Sequence, residues 1–311
     1  MKELISVVII TYKRPISILK RALSSVISQD YENIEIIIVN DCPEDIEGSN
    51  AINNLIKEYN DDRIILKHHE VNKGANAARN TGLREARGVY IAFLDDDDEW
   101  SKDKLRKQYN AISQNQKYGI AYSGFVKVNE NKKELVYPIY LSKEESCIKR
   151  ILEDNYIGST SFSLIRMEAI KSVGGFDEKI KICQEYELWI RILEKYDSVC
   201  VNELLGNYYY SKDSTFKGID KYIKGCNVLL DKHSELYKKN PNALSNRLLI
   251  LFAFSCKRYR WKDAFKYKIK AFLADPLNIN NITLIFIIRK EIDRIRNKKI
   301  LKVNKGDKNE Y

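Results

Sequence analysis

Four consecutive aspartates occupy positions 95 to 98, directly after an apolar run. The run, residues 89–94, is rich in β-branched and aromatic side chains and therefore predicts a buried strand. Neighbouring carboxylates repel one another, and a divalent cation would remove that cost because hard cations take oxygen ligands. A solvated acidic turn is the alternative interpretation. The position after a strand favours the metal site, since ligands of open α/β sheets bind at the carboxyl ends of strands.

Glu185 is a second carboxylate placed where it could do chemistry. Residues 185–196 have helical periodicity, and Glu185 precedes Trp189 by four residues, so both are expected on one face of the helix. The helix dipole favours a carboxylate in the first turn, which makes a purely structural role one interpretation. The other interpretation is a general base at the wall of a pocket.

Strand and helix patterns alternate from the N-terminus to the aspartates. Strands are predicted at residues 6–11, 34–39, 63–67 and 89–94, and helices after Pro15 and at residues 50–59 and 75–86. This alternation is typical of an α/β fold with a mostly parallel sheet and helices on both faces. The loops 11–15, 40–45 and 95–100 leave the carboxyl ends of strands, so right-handed crossovers would bring them to one edge.

The next part of the sequence is less regular. Helices are predicted at residues 101–114, 142–154 and 185–196, strands at residues 120–128, 135–139 and 159–165, and a turn at Gly174, Gly175, Phe176 and Asp177. Residues 215–311 are expected to be helical, with helices at residues 218–239, 243–257, 261–274 and 282–297. We therefore predict an α/β domain at residues 1–211 and a C-terminal helical extension at residues 212–311.

Charge is divided unevenly between these two parts. Residues 1–211 hold 29 Lys and Arg against 33 Asp and Glu, whereas residues 212–311 hold 24 against 10. An acidic α/β part is not expected to bind nucleic acid. The helix predicted at residues 282–297 begins apolar and ends basic, which suits a membrane surface with anionic lipid or, alternatively, a packed helix with a solvated basic face.

Other motifs are missing from the sequence. The six cysteines form no Cys-x-x-Cys pair, which fits a reducing cytosol, and the start of the chain lacks a signal-peptide pattern. No apolar run reaches the ~20 residues that a spanning helix needs. Neither a glycine-rich dinucleotide fingerprint nor a Walker A motif follows the first strand, so an NAD site and a P-loop are not supported.

Several motifs occur in an order that is similar to one known family. They are SVVIITYKRP at residues 6–15, IVND at 38–41, NKGANAARN at 72–80, FLDDDDEW at 93–100, GGFDE at 174–178 and QEYELWIR at 184–191. In this order they resemble the family 2 glycosyltransferases, which have the GT-A fold, over about residues 4–211. The resemblance implies that a sugar is transferred from a nucleotide-sugar, most simply a UDP-sugar, to a hydroxyl with inversion. It also implies a lipid-linked saccharide acceptor at the cytoplasmic face of the cell membrane.

The resemblance assigns roles to residues of this sequence. Asp95 and Asp97 would hold Mn²⁺ or Mg²⁺, which neutralises the leaving diphosphate. Glu185 would take the proton from the acceptor hydroxyl. Gly175 and Trp189 would lie on the acceptor side. The nucleotide-binding residues would be Thr11, Tyr12, Arg14, Asp41, Arg79 and Asp96, with Tyr12 stacking on the base and Asp41 accepting its ring N–H.

Three positions depart from the family pattern. Glu185 stands where the family usually has Asp, and Asn40 replaces the first of a usual aspartate pair. The segment 210–215 lacks the histidine that often lies close to the metal, and we expect it to fold over the donor with Lys212 near the diphosphate.

Two other functions remain open at this point. One is a non-catalytic protein that binds nucleotide-sugars or acts as a scaffold in polysaccharide assembly; the carboxylates at positions 95, 97 and 185 count against this. The other is a nucleotidyltransferase, which would need a glycine-rich and lysine-rich phosphate loop after the first strand. Residues 11–15 contain no glycine.

Overall fold

The computed structural model describes residues 2–130, 132–142, 144–210, 214–278 and 280, with the side chains of residues 214–218 left aside. The chain divides into two compact units, Met1–Tyr222 and Ile223–Tyr311. The expected boundary after residue 211 stays a prediction.

The first unit begins with the alternating pattern that the sequence predicts. Its elements are β1 (Ile5–Thr11), α1 (Ile16–Ile27), β2 (Ile34–Asn40), α2 (Ile46–Tyr59), β3 (Ile64–His68), α3 (Ala75–Glu85) and β4 (Tyr90–Asp95). The four strands are parallel and lie in the order β3-β2-β1-β4. Helix α2 begins earlier than expected because the Asp45 side chain accepts a hydrogen bond from the Gly48 N–H at 2.9 Å and caps it.

Antiparallel strands extend this sheet beyond β4. The remaining elements are β5 (Glu99–Trp100), α4 (Lys104–Ile112), β6 (Tyr118–Asn129), β7 (Lys132–Val136), α5 (Cys147–Glu153), β8 (Ser163–Arg166), α6 (Met167–Ser172), α7 (Gln184–Leu193) and β9 (Asp197–Tyr209). The order continues β4-β8-β6-β9-β5, with β7 paired to β6. Strand β6 is antiparallel to β8 and parallel to β9, so the sheet is mixed and mostly parallel only in its first half.

Some details of the prediction were wrong. Residues 160–162 form a 3₁₀ turn rather than the start of a strand, and the predicted helix at 142–154 begins only at Cys147. Helix α6 and the 13-residue strand β9 were not predicted.

Helix α3 packs very closely on the first strand. A Cβ atom at Gly82 would lie 2.3 Å from Cγ1 of Val8, so only glycine allows this distance between helix and sheet. The close approach fixes α3 over β1 and thereby fixes the polar side chains that it carries towards the carboxyl edge of the sheet.

Helix α8 (Ser214–Lys232) begins in the first unit and ends in the second. The second unit also contains α9 (Ser234–Lys238), α10 (Pro241–Lys257) and α11 (Trp261–Ala274). The helix expected at residues 218–239 is therefore two helices with His233 between them, and the prediction for α11 is confirmed. The helix predicted at residues 282–297 lies outside the described residues. Within the described part of the chain, no helix is long and apolar enough to cross a membrane.

Candidate active site

The carboxyl ends of β1, β2 and β4 and the start of α3 surround a cleft of about 440 Å³. The two predicted metal ligands, Asp95 and Asp97, line it. All residues predicted to bind the nucleotide also line it: Thr11, Tyr12, Arg14, Asp41, Arg79 and Asp96. The convergence of these loops on one edge of the sheet is therefore confirmed.

Arginines offset the charge of the acidic turn. Arg14 donates from Nε to Oδ1 of Asp96 at 2.8 Å and from Nη2 to Oδ2 of Asp97 at 3.0 Å. Arg79 donates from Nη2 to Oδ1 of Asp95 at 2.7 Å. These pairs supply positive charge at the place where a diphosphate, itself anionic, would compete for the same guanidinium groups.

Burial is the largest influence on the pKa values of Asp96 and Asp97. It raises the pKa of Asp96, although a hydrogen bond from Thr11 and the charge of Arg14 oppose the rise. Burial also raises the pKa of Asp97, and the negative charge of Asp95 adds to the effect. The two predicted metal ligands therefore repel each other, which is the condition that a bound cation would relieve.

Asp98 serves the turn rather than the cleft. Its side chain is fully buried, its N–H donates to the Asp95 carbonyl at 3.0 Å, and its Oδ1 accepts from the Tyr209 N–H at 3.3 Å. Burial raises the pKa of Asp98 well above its usual range, followed by the negative charge of Asp95. These contacts order the turn that leads into β5.

The donor set around Asp95 and Asp97 fits a hard divalent cation. Both side chains offer carboxylate oxygens to one cleft, and Mg²⁺ or Mn²⁺ accepts such oxygens together with those of phosphate and water. Among the described residues, no three His, Cys, Asp or Glu side chains are grouped to hold an ion. An ion here would thus need further oxygens from a ligand or from water.

Asp41 holds the start of α3 in place. Its Oδ1 accepts from the Lys73 N–H at 2.8 Å and pairs with Nδ1 of His69 at 2.7 Å, and its Oδ2 accepts from the Gly74 N–H at 2.7 Å. A carboxylate has about four acceptor positions, so one remains for a ligand donor. The sequence reasoning did not foresee the part played by His69.

The polar residues of α3 bind the turn that precedes α7. Asn80 donates from Nδ2 to the Phe176 carbonyl at 2.8 Å and accepts from the Phe176 N–H at 2.9 Å. Asn76 donates to the carbonyls of Asp177 and Ile180 at 2.8 and 3.0 Å. The NKGANAARN motif therefore connects the edge of the cleft with the turn that precedes α7, because its asparagine side chains bind the backbone of that turn.

Gly175 acts through this turn. Its φ of +74° is in the left-handed region, and a Cβ atom would lie 2.8 Å from Oδ1 of Asn80. It is buried, so it shapes the turn that precedes α7, and its expected place on the acceptor side stays a prediction.

The start of α7 reaches the cleft through Arg79, which donates from Nη1 to Oε1 of Gln184 at 3.0 Å. Glu185, the next residue, is half-buried. Burial raises the pKa of Glu185; the charge of Arg79 lowers it and that of Asp95 raises it. A carboxylate whose pKa is raised is a stronger base and is therefore better suited to accept a proton.

Trp189 corrects one expectation. The side chain is fully buried, and Nε1 donates to the Gly158 carbonyl at 3.0 Å. Because no part of the ring is exposed, Trp189 packs α7 against the domain and does not offer a surface to an acceptor. Glu185 and Trp189, which were expected on one face of the helix, thus differ in exposure: Glu185 is half-buried and Trp189 is fully buried.

Tyr208 is a cleft residue that the sequence reasoning missed. Its ring stacks on Tyr210 with centroids 6.4 Å apart and meets Phe125 at 5.8 Å. Burial, followed by the charges of nearby carboxylates that include Asp98 and Glu185, raises the pKa of Tyr208 to about 12, so its hydroxyl remains a hydrogen-bond donor. The run of three tyrosines at the end of β9 is the signal that could have found it.

Lys212, which we expected near the diphosphate, lies outside the described residues.

Comparisons with known proteins give a consistent result. The family model described as "Glycosyl transferase family 2" matches residues 6–174. The chain is 31% identical over 230 residues, 73% of this chain and 86% of the relative, to "UDP-Glc:alpha-D-GlcNAc-diphosphoundecaprenol beta-1,3-glucosyltransferase WfaP" of Escherichia coli. It is 28% identical over 268 residues, 85% of this chain and 97% of the relative, to WfgD of Escherichia coli, whose name gives the same activity.

A solved structure shares the fold. "Mannosyltransferase PcManGT from Pyrobaculum calidifontis in complex with GDP-Man and Mn2+" superposes with a TM-score of 0.56 at 16% identity, over 89% of this chain and 86% of that one. The expected GT-A fold, an α/β sheet flanked by helices with a C-terminal helical part, is therefore confirmed.

Proposed function

The chain belongs to glycosyltransferase family 2, and from this premise we propose that it transfers a hexosyl or N-acetylhexosaminyl group from a UDP-sugar. The acceptor is a hydroxyl of a lipid-linked saccharide in surface-polysaccharide synthesis, and the transfer inverts the anomeric carbon. The observation that carries the proposal is that the acidic turn and Arg79 line one cleft, with Glu185 near enough to be influenced by the charges of Arg79 and Asp95.

The nucleotide is bound at the β1–β2 side of the cleft in this proposal. Asp41 has one acceptor position left after its contacts to His69 and to the start of α3, and a uracil ring N–H fills it. Tyr12 is exposed at the rim and offers its ring to the base.

The diphosphate lies over the acidic turn. Asp95 and Asp97 would hold Mn²⁺ or Mg²⁺, which when bound would supply positive charge to offset the charge that grows on the leaving group. Arg14 and Arg79, each already directed at an aspartate of the turn, donate to phosphate oxygens from the same edge.

The acceptor oxygen attacks the anomeric carbon from the face opposite the diphosphate. The bond from that carbon to the phosphate oxygen breaks as the new bond to the acceptor oxygen forms, and Glu185 takes the hydroxyl proton. A single displacement of this kind inverts the centre and needs no covalent enzyme intermediate. The side chain of Glu185 is one methylene longer than that of the aspartate usual in the family, so its carboxylate reaches further from α7.

The lipid-linked acceptor is supported by WfaP and WfgD, whose names give a diphosphoundecaprenol-linked acceptor. An enzyme that acts on such an acceptor works at the membrane surface, and we propose that the basic C-terminal helices bind the inner face of the cell membrane from the cytoplasm. The competing function is a non-catalytic scaffold that binds nucleotide-sugars. Such a scaffold would not need a proton acceptor at position 185, so the carboxylate of Glu185 favours the enzyme.

A panel of nucleotide-sugars tests the proposal. With Mn²⁺ present, the protein should be stabilised by one UDP-sugar in a thermal-shift assay and should slowly hydrolyse it, because binding to the folded state raises stability. Asp97→Ala should lose hydrolysis, whereas Asp62→Ala, an exposed aspartate away from the cleft, should keep it. The enzyme proposal fails if no donor binds, or if Asp97→Ala hydrolyses its donor like the unmodified protein.

A further inference from the structure

Helix α11 carries exposed apolar side chains along one face. We call this face the α11 stripe, and its members are Trp261, Phe265, Ile269, Phe272 and Leu273. These five side chains are between 43% and 72% exposed. At 3.6 residues per turn they fall within about one third of the helix circumference.

The opposite face of α11 is already used. Ala264, Tyr267 and Ala271 are buried, and α11 packs against α10 as a helical hairpin. Packing within the unit therefore accounts for one face of the helix and leaves the aromatic face uncovered by the described residues. Isolated exposed apolar residues are ordinary, but five on one face indicate an interaction surface.

Lysines lie along both sides of the stripe. By helical spacing Lys266 and Lys270 are on one side, the half-buried Lys268 is on the other, and the exposed Lys262 falls inside the stripe beside Leu273. Residues 257–274 contain seven Lys and Arg against one acidic residue, Asp263, which pairs with Arg260 at 2.6 Å. The surface is thus mainly apolar, with one lysine inside it and positive charge along both edges.

This combination selects a lipid surface over a protein partner. The centre of a protein interface is typically poor in lysine, whereas an interfacial helix places Trp, Phe and Leu in the membrane boundary with lysines on its flanks. Lysine stems can lie along the apolar region while their charged ends reach the anionic headgroups. At 14 residues α11 is also shorter than a spanning helix, so it would lie in the plane of the interface.

We propose that the α11 stripe binds the surface of an anionic membrane, with its aromatic side chains inserted among the headgroups and its flanking lysines paired to them. This names the surface that performs the membrane binding included in the proposed function, and it does not depend on the helix first expected at residues 282–297. The partner of the α11 stripe is an anionic phospholipid surface rather than a second copy of the chain.

The three tryptophans make the contact directly measurable. Trp100 and Trp189 are buried, whereas Trp261 lies in the α11 stripe and is exposed. Vesicles of phosphatidylcholine with phosphatidylglycerol should shift Trp261 emission to the blue and shield it from acrylamide, while phosphatidylcholine alone should shift it little. High salt should weaken the binding because it screens the lysine contacts. Trp261→Phe should remove the spectral response without preventing vesicle flotation.

Paired substitutions test the stripe in the full-length protein. Phe265→Glu with Phe272→Glu should reduce flotation with phosphatidylglycerol vesicles by roughly tenfold or more, because two inserted rings are replaced by charges of the same sign as the lipid. Lys266→Glu with Lys270→Glu leaves the apolar face intact and should remove the preference for phosphatidylglycerol. Val89→Glu makes the same change from apolar to acidic at an exposed position in the other unit and should float normally.

Donor hydrolysis on the same preparations separates this inference from the proposed function. Active protein that fails to float, or that floats without any change in Trp261 emission, overturns the assignment of the α11 stripe while leaving the catalytic proposal intact. Trp261 that is already blue-shifted and shielded without lipid would also overturn it, because protein would then cover the stripe. If the phenylalanine pair does not fold, the lysine pair decides: unchanged phosphatidylglycerol preference refutes the proposal.

Discussion

Replacing Glu185 with glutamine separates the proposed base from every other part of the cleft. The substitution keeps the shape of the side chain and removes only its ability to take a proton. Glu185 is half-buried in the first turn of α7, beside Arg79 and Asp95, and does not line the nucleotide cleft. Donor binding should therefore survive a change that stops transfer.

The size of the loss follows from the role. General-base catalysis contributes about 10²–10⁴-fold, so Glu185→Gln should lower kcat by that factor, or about 2.7–5.5 kcal/mol of transition-state stabilisation. The KM for the donor should change little, because the interaction that is lost is made only in the transition state.

Two pH effects should accompany the loss. Burial raises the pKa of Glu185, so kcat/KM in the unmodified protein should fall as the pH drops through a value above the usual glutamate range, and Glu185→Gln should lack this limb. Because the folded state disfavours ionised Glu185, that group costs stability increasingly as the pH rises above the usual glutamate pKa, and the full cost applies above its raised pKa. The glutamine variant should therefore be at least as stable as the unmodified protein at neutral pH.

Titration calorimetry with the UDP-sugar and a single-turnover transfer assay would measure the two quantities separately. Glu168→Gln, the same change at an exposed position of α6, is the control and should leave both unchanged. Transfer within threefold of the unmodified protein would refute the base assignment. Lost donor binding would instead mean that Glu185 holds the start of α7.

Three further substitutions test the architecture of the cleft. Asp41→Asn should lower the free energy of unfolding by about 1–3 kcal/mol in chemical denaturation, because either orientation of the amide turns an NH₂ group towards a backbone N–H donor. An unchanged midpoint would contradict these contacts. Tyr208→Ala should raise the donor KM up to roughly tenfold, whereas Tyr208→Phe keeps the ring and should change it less; equal effects would deny the ring a role. Gly175→Ala should destabilise more than Gly174→Ala: both need a positive φ, which costs about 1–2 kcal/mol, but only the first would press a Cβ against Asn80. Equal melting temperatures for the two alanine variants would refute that contact.

The first half of the fold could be predicted because its signals are local. β1, β2 and β4 are nearly uninterrupted apolar runs that are buried on both faces, and their order along the chain fixes the edge at which their loops meet. The positions of Asp41 and of the acidic turn follow from the strands alone. Their shared place in one cleft needed only the right-handed crossover rule.

Strand β9 could not be predicted from its own residues. It contains Asn202, Glu203 and Gly206, and only its centre near Leu205 is buried, so the usual alternation is weak. Its pairing with β6 is irregular, with breaks in the register on both sides of Gly124. Contacts with a distant strand therefore decide its conformation, and Tyr208 was missed together with it.

The contacts of individual side chains were also beyond the sequence. Trp189 and Glu185 share a periodic pattern, which cannot distinguish a ring sealed in the core from a carboxylate at its margin. Likewise nothing in the sequence indicates that His69 is the neighbour of Asp41, because 28 residues separate them.

Helix α3 has a consequence for anyone who wishes to change the donor. Seven of its eleven residues are buried, among them polar ones committed to the backbone of the adjoining turn, and Gly82 leaves no room to slide it along β1. Almost any substitution in α3 would therefore destabilise the fold before it altered donor selectivity. Tyr12 and Tyr208 also line the cleft, but they lie outside α3 and are not fully buried. Engineering a new sugar preference should thus start with saturation libraries at these two tyrosines and leave α3 unchanged.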